Sequence, residues 1–350
     1  MTNPSTDIVQ LSEMQPGNEA DLFVLLSNKE SLKTQEGKPY YRVTFRDNRR
    51  EMRIPIWSDA AFYDECHKNW AVGEFYKVRG ILHQTQKFGL QLEIRKIRPV
   101  RESDKRDGFH PNRCRPSSRH EPSVMFDEIL ALAKQHIITA GPKLSNEVHE
   151  RHGKLFNLIT MLFKDHRKAL LDAAAAKRHH HIYFGGLLEH MLSVTKIAIA
   201  IADHYRTEFH DDPDRRGVLC KSLVVAGAIL HDIGKIREQH SDHSKIEYTL
   251  EGSLIGHVVL GRDFVRDYAQ KVGLDDRTRT QLEHIILSHQ RLAEWGSPKP
   301  PMSLEAVIVH HADSCDALIG CHFTVMEQDD TEGPITSRRN VLGYPIYKNI

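Results

Sequence analysis

At 350 residues the chain is long enough for two domains, and its 27% charged and 40% apolar residues are the balance of an ordinary globular protein rather than a fibrous or disordered one. A formal net charge of +1 excludes a partner chosen by bulk charge, so any nucleic-acid contact has to come from a local patch. The five cysteines, Cys66, Cys114, Cys220, Cys315 and Cys321, are scattered without a C-x-x-C pair, which excludes a disulfide framework or a thiolate zinc site and fits a reducing, cytoplasmic setting.

The N-terminal residues MTNPSTDIVQLSEM lack the basic-then-apolar order of a secretory signal. From there to about residue 100 the chain reads as β-structure. Leu22–Leu26, Tyr40–Phe45, Met52–Trp57, Phe75–Leu82 and Leu90–Ile97 are rich in β-branched and aromatic residues, and turn formers such as Glu36-Gly37-Lys38-Pro39 separate them. Five short strands with a helix at Asp59–Asn69 predict a small Greek-key barrel, an OB-fold, over residues 1–100.

This half concentrates positive charge. Lys77, Arg79, Lys87, Arg95, Lys96, Arg98 and Arg101 face one acid, Glu93; Lys38, Arg42, Arg46, Arg49, Arg50 and Arg53 face Asp47 and Glu51. Tyr40, Tyr41, Phe45, Phe75, Tyr76 and Phe88 are interleaved with them. A basic groove with stacking rings suits single-stranded nucleic acid, with Tyr41, Arg46, Arg79 and Lys87 as candidate contacts. The plainer alternative is alternate aromatics in the barrel core and a solvated basic face.

Residues 101–122, with Pro111, Pro116 and Pro122 among serines and arginines, read as a linker. From Ser123 to residue 327 the apolar spacing is helical and strand signals are absent. Helices are predicted around Phe126, at Leu155–Phe163, Gly186–Tyr205, Val218–Asp232, Leu250–Val272, Thr278–His289 and Leu304–Val325, an all-α domain. Apolar runs such as Leu223–Leu230 fall short of the ~20 residues that cross a bilayer, so no membrane contact is expected. Residues 328–350 read as an extended tail.

The 23 histidines need reading one by one, because imidazole serves as metal ligand, proton shuttle or core residue. Within Leu230-His231-Asp232-Ile233-Gly234-Lys235 an apolar helix ends in adjacent imidazole and carboxylate, with a glycine placed to stop it. His190, His257, His289 and Asp313 each sit on another helix among apolar neighbours. A polar group on a face that should be buried costs several kcal/mol unless satisfied, and one divalent-metal centre would satisfy all of these together. His149, His152, His284 and His310 are read as structural. Lys235 could hold a phosphate oxygen, His180 and His181 could position substrate, and Glu189 could orient a ligand.

The order His190, His231-Asp232, Asp313 resembles the HD superfamily of phosphohydrolases. The segments His180-His-Ile-Tyr-Phe-Gly-Gly-Leu-Leu-Glu-His190, Ile229-Leu-His-Asp-Ile-Gly-Lys235, Glu247-Tyr-Thr-Leu-Glu-Gly-Ser-Leu-Ile-Gly-His257 and Ile286-Leu-Ser-His289, together with Gly37–Asp47, are similar to the YhaM family, bacterial 3′→5′ exoribonucleases with an OB-fold before an HD domain. Gln290 and Phe184 depart from that pattern, in which histidine and proline are usual. The resemblance implies two cations, His190, His231 and Asp313 completing one site, His257 and His289 the other, and Asp232 bridging. It implies hydrolysis of single-stranded RNA to nucleoside 5′-monophosphates, with DNA and a homo-oligomer left open. Manganese fits the nitrogen and oxygen donors, with iron, nickel and magnesium as rivals. Two alternatives stand beside it: an HD-domain phosphohydrolase of nucleotides or cyclic nucleotides, and a nucleic-acid-binding regulator without catalysis.

Overall fold

The computed structural model of the chain describes residues 8–34, 36–85, 89–114, 118, 120–138, 146–175, 184–209, 219–241, 246–329 and 331–348. Two compact units emerge, residues 1–117 with 241–245, and residues 118–240 with 246–350.

In the first unit, strands β1 (Ile8–Val9), β2 (Glu19–Lys33), β3 (Pro39–Arg46) and β4 (Glu51–Trp57) precede helix α1 (Tyr63–Asn69), and β5 (Phe75–Thr85) and β6 (Gly89–Pro99) follow. They form one sheet in the order β4-β3-β2-β5-β6, antiparallel except where the two-residue β1 joins β2 in parallel. Among the described residues no hydrogen bonds join β4 to β6, so the sheet curls into a barrel-like unit without closing. The five strands read from the sequence are all present; β1 escaped because two residues carry no period. Alternation explains the sheet: in β5, Tyr76, Val78 and Leu82 point inward and Lys77 and Arg79 outward. Pro55 sits in β4, at the end of the sheet, where a missing N–H costs no ladder bond on the open side.

The stretch from Arg101 has structure of its own in the first unit. Asp104 is buried and receives two hydrogen bonds from the Arg98 guanidinium at 2.7 and 2.6 Å. The Phe109 ring packs edge-on against Phe23 and Phe75, at 5.3 and 5.4 Å between centroids. Helix α2 (Pro111–Cys114) then buries Cys114. One aromatic and one thiol among arginines and serines are too sparse a signal for composition to register.

The second unit is helical: α3 (Pro122–Ala133), which runs on into a wider turn at Lys134–Ile138, α4 (Asn146–Asp165), α5 (Arg167–Asp172), α6 (Gly186–Phe209), α7 (Lys221–Leu230), α8 (Lys235–Glu238), α9 (Leu250–Leu254), α10 (His257–Lys271), α11 (Asp276–Ser288) and α12 (Leu304–Gln328). Every residue of α7 after Lys221 is buried, the mark of a central helix, and it packs on α4, α6, α11 and α12.

Three expectations need correction here. The helix expected to run unbroken over Leu250–Val272 is two helices, because Gly256 takes φ +81°, a conformation open to glycine that ends the first and lets His257 begin the second. Strands are not absent after Ser123: β7 (Gln239–Ser241) pairs with β8 (Ile246–Tyr248), three residues each, too short to show alternation. The last stretch is not extended: Ile335 bridges to Tyr347, Thr336 is buried, and Lys348 Nζ meets Asp329 Oδ2 at 2.9 Å. No described helix is long and apolar enough to cross a membrane.

Candidate metal centre

Helix ends and helix faces deliver six side chains to one point. His231 and His289 each stand just past the last turn of a helix, α7 and α11. The last carbonyls of a helix have no intrahelical donor. His231 Nδ1 donates to Ala228 O at 2.8 Å and His289 Nδ1 to Ile286 O at 2.7 Å, each three residues back. A carbonyl only accepts, so the proton is on Nδ1 and the Nε2 lone pair of both rings is left to face the cluster. His190 Nδ1 donates to Asp316 Oδ2 at 2.7 Å and His257 Nδ1 to Glu238 Oε1 at 2.9 Å, so Nε2 is again the ring atom turned to the cluster.

The four Nε2 atoms surround the Asp232 carboxylate. His190 and His231 present Nε2 to Asp232 Oδ2 at 3.4 and 3.5 Å, and Asp313 Oδ1 lies 3.2 and 3.8 Å from the same two nitrogens. The two nitrogens are 3.1 Å apart. On the other side, His257 and His289 present Nε2 to Asp232 Oδ1 at 3.4 and 3.6 Å. Asp232 Oδ1 and His257 Nε2 are buried and have no hydrogen-bond partner among the described residues. Buried polar atoms left unpaired cost about 1–3 kcal/mol each, and a cation between them removes that cost.

The spacing fits an ion. Donor atoms bound at ~2.0–2.2 Å stand about 3.0–3.6 Å from one another in octahedral or tetrahedral sites. His190, His231 and Asp232 form one group with ligand-metal spacing, and Asp232, His257 and His289 form a second. The cluster is therefore able to hold divalent metal, with one carboxylate common to both groups.

The electrostatics agree. Burial disfavours a charged His190, yet Asp232, Asp313 and Asp316 hold its pKa well above the usual imidazole range. Burial would also raise Asp232, but Lys235 and His231 outweigh it and keep the carboxylate ionised; His190 does the same for Asp313. Burial, aided by the neighbouring His231 and opposed by Asp232 and Asp313, pushes His289 down, which keeps its lone pair available. His190, His231, Asp232 and His289 are at most 1% exposed, whereas the side chains of Asp313 and His257 are 13% and 17% exposed, so solvent reaches the cluster past those two.

The structure thus brings together all six predicted ligands, His190, His231, Asp232, His257, His289 and Asp313. Lys235 is buried with Nζ 2.5 Å from Asp232 Oδ2, bound to the carboxylate rather than free for a phosphate. Gln290 Nε2 lies 3.1 Å from His289 Nε2, beside the second group. His310 Nδ1 donates to the His289 carbonyl at 2.7 Å, His284 Nε2 accepts from Met302 N at 2.9 Å, and His152 bonds Ser222 at 3.0 Å, all structural contacts. Sequence reasoning missed Asp316 and Glu238. A carboxylate one turn after Asp313 on an apolar helix was a usable signal for the first; Glu238, in a polar tetrapeptide, offered none. Gly234 does not stop a helix by a left-handed turn: its φ is −62°. A Cβ there would lie 1.9 Å from His257 O and 2.5 Å from Gly261 N. The glycine lets the His231–Asp232 turn touch the start of α10.

The barrel contacts fare differently. Arg79 forks onto Asp21 at 2.6 and 3.0 Å, and Arg46 is half-buried with Glu51 at 3.8 Å. The Tyr41 hydroxyl bonds His67 Nδ1 at 2.6 Å. Arg42 pairs with Glu30, Arg95 with Glu93, Arg98 with Asp104, and Lys77 with Asp107. Part of the basic stripe is ion-paired within the unit, and Lys77, Arg79, Arg95, Lys96 and Arg98 line one cavity together with Asp21. Phe45 and Tyr76 are core, while Tyr40 and Trp57 pair at 4.8 Å with Trp57 45% exposed. Lys87, Phe88, His180 and His181 lie outside the described residues.

Residues 187–318 match the HD domain family, a span that holds all six ligands. A 3'-5' exoribonuclease YhaM of Listeria welshimeri is 31% identical over 313 residues, 89% of this chain and 88% of that protein. The Bacillus subtilis 3'-5' exoribonuclease YhaM is 31% identical over 302 residues, 86% and 85% of the two chains, and that of Shouchella clausii 30% identical over 316 residues, 89% and 88%. With near full-length similarity on both sides and the candidate ligands gathered in one cluster within the HD domain, the chain belongs to the YhaM family of 3'-5' exoribonucleases.

Proposed function

We propose that this chain is a metal-dependent exonuclease that removes nucleoside 5′-monophosphates from the 3′ end of single-stranded RNA. His190, His231, Asp232 and Asp313 would hold one divalent cation, and Asp232, His257 and His289 a second. The observation that carries this reading is the division of the Asp232 carboxylate, with Oδ2 toward one imidazole pair and Oδ1 toward the other. Divalent cations bound there would supply Lewis acidity and bring the pKa of a bound water from ~15.7 toward about 7.

The protein's own part is positional. Backbone carbonyls and carboxylates hold the Nδ1 side of four imidazoles, and helices α6, α7, α10, α11 and α12 fix their directions, so Nε2 of each is turned to the cluster before any ion binds. Lys235 balances the charge of Asp232, and with divalent cations held there its ammonium would be available to a phosphate oxygen. Nitrogen and carboxylate donors without thiolate are compatible with manganese, the ion we assign first, with iron, nickel and magnesium as the competing ions.

The strand order β4-β3-β2-β5-β6 with α1 between β4 and β5 is the connectivity of an OB-fold, and we assign the first unit the task of holding the RNA strand. The pair of exposed Trp57 and half-buried Tyr40, rather than the paired arginines, offers the stacking surface.

The test is incubation of a 5′-labelled single-stranded RNA with Mn2+, beside the matching DNA and free nucleotides. A ladder shortening from the 3′ end is expected. Asp232→Ala should abolish it with the fold intact; an active Asp232→Ala, or cleavage of nucleotides alone, sinks the reading.

A further inference from the structure

We infer that Asp316 and Glu238 are positioning carboxylates that set the affinity of the two cation sites, one behind each; the inference rests on the two-cation reading above. Of the four ligand imidazoles, His231 and His289 give their Nδ1–H to a neutral carbonyl of their own helix. His190 and His257 give theirs to a carboxylate. These two are divided between the sites, His190 with His231 and His257 with His289. A carbonyl acceptor fixes the tautomer. An ionised acceptor also makes the ring a stronger donor at Nε2, so each site has one strengthened imidazole.

Both carboxylates are held in place independently of the ring they serve. Ser193 stands one turn after His190 on α6 and donates its hydroxyl to Asp316 Oδ1. Asp316 stands one turn after Asp313 on α12. The α6 pair therefore meets the α12 pair, with Asp313 on the Nε2 side of His190 and Asp316 on its Nδ1 side. Glu238 Oε1 accepts from both the Nδ1 and the backbone N–H of His257, each at 2.9 Å. Its own carbonyl accepts from Thr249 N at 2.9 Å and lies where a Cβ on Gly252 would come within 2.0 Å. That contact anchors α8 to α9 and fixes where Glu238 can point.

The experiment is calorimetric titration of the full chain with Mn2+ alone, with the melting temperature of each metal-free protein recorded beside it. Wild type should take up two ions. Asp316→Asn and Glu238→Gln should each weaken one of the two steps by about 10–100-fold and leave the other unchanged, and the double variant should weaken both. Metal-free melting should fall modestly as a charged hydrogen bond is lost, but a purely structural role does not predict one binding step weakened with the other unchanged. Ser193→Ala keeps the Asp316–His190 contact but removes the hydroxyl that donates to the other carboxylate oxygen; it should weaken the Asp316 step a few-fold, and it carries the test if Asp316→Asn does not fold. Wild-type Mn2+ constants in these variants overturn the inference and leave the two-cation reading standing. No Mn2+ uptake by wild type overturns the reading itself.

Discussion

Replacing Gly234 with alanine adds one methyl group, and the structure gives its consequence in ångströms. The new Cβ would lie 1.9 Å from His257 O, 2.5 Å from Gly261 N and 2.8 Å from His257 C, against an ordinary contact distance of 3.4 Å or more. These are backbone atoms at the start of α10 and cannot rotate away, so α10 must retreat by about 1.5 Å or the His231–Asp232 turn must. Overpacking a tight core costs ~1–3 kcal/mol when side chains absorb it, and backbone contact puts this case at the upper end or beyond. The larger effect is local. His257 leads α10, and its Nε2 is 3.4 Å from Asp232 Oδ1. A metal site tolerates only ~0.2 Å in its bond lengths. Gly234→Ala should therefore lose the Mn2+ site that includes His257, and movement of the His231–Asp232 turn rather than α10 would weaken the other site as well. Gly227→Ala is the control: its Cβ would meet the Ile285 side chain at 2.6 Å, which can shift, so stability should fall while both ions are retained. Titration calorimetry and thermal melting of both variants decide it. Two ions bound by Gly234→Ala at wild-type affinity would refute the close-approach argument.

Stripping metal with a chelator should abolish hydrolysis and lower Tm; Mn2+ at about 100 times Kd should restore ~2.7 kcal/mol per site, measured by melting against ion concentration. In the metal-free protein, burial opposes charge on His190 but Asp232, Asp313 and Asp316 keep its proton in place at neutral pH. Mn2+ must displace that proton, so uptake should weaken about tenfold per pH unit lowered and release acid, read as a calorimetric dependence on buffer ionisation heat. In the first unit, hydrogen bonds from Arg98 outweigh burial and hold Asp104 down to about 2. A depressed folded pKa stabilises above the ordinary carboxyl range, so this contribution should vanish as pH falls from about 4 to about 2, and Asp104→Asn should cost ~1–2 kcal/mol at neutral pH, read from urea midpoints. Trp57→Ala should weaken single-stranded RNA binding by ~1–3 kcal/mol, whereas Arg79→Ala should change it little; the reverse order in a binding titration would put the RNA on the arginines instead.

How much of this was legible depended on whether a residue's meaning lies within its own helix or strand. The ligands were readable because each breaks an apolar face that the sequence shows by itself: His190 among Leu187, Leu188 and Met191, His289 after Ile285 and Ile286, Asp313 beside Val309 and Ala312. The barrel strands were readable for the same reason, since Met52, Ile54 and Ile56 alternate with Glu51 and Arg53. Asp316 shares a face with Asp313 and could have been found by extending the same test one turn further.

The charged surface of the first unit was only partly legible because the pairing of its charges lies between strands. Counting lysines and arginines along β3 and β5 gives a basic stripe. The register puts Glu30 directly across from Arg42, Glu51 across from Arg46 and Asp21 across from Arg79. Cross-strand pairs of this kind are worth a few tenths of a kcal/mol each, and Asp21 and Arg79 are 58 positions apart in sequence. No window over a linear sequence finds such a partner before the pairing of β2 with β5 is known. The same holds for Glu238, which becomes meaningful only when α8 is folded against the first turn of α10. Chemistry that depends on one face of one element can be read from the residues of that element. Neutralisation of a charge, or the backing of a ligand, needs two elements and therefore the fold.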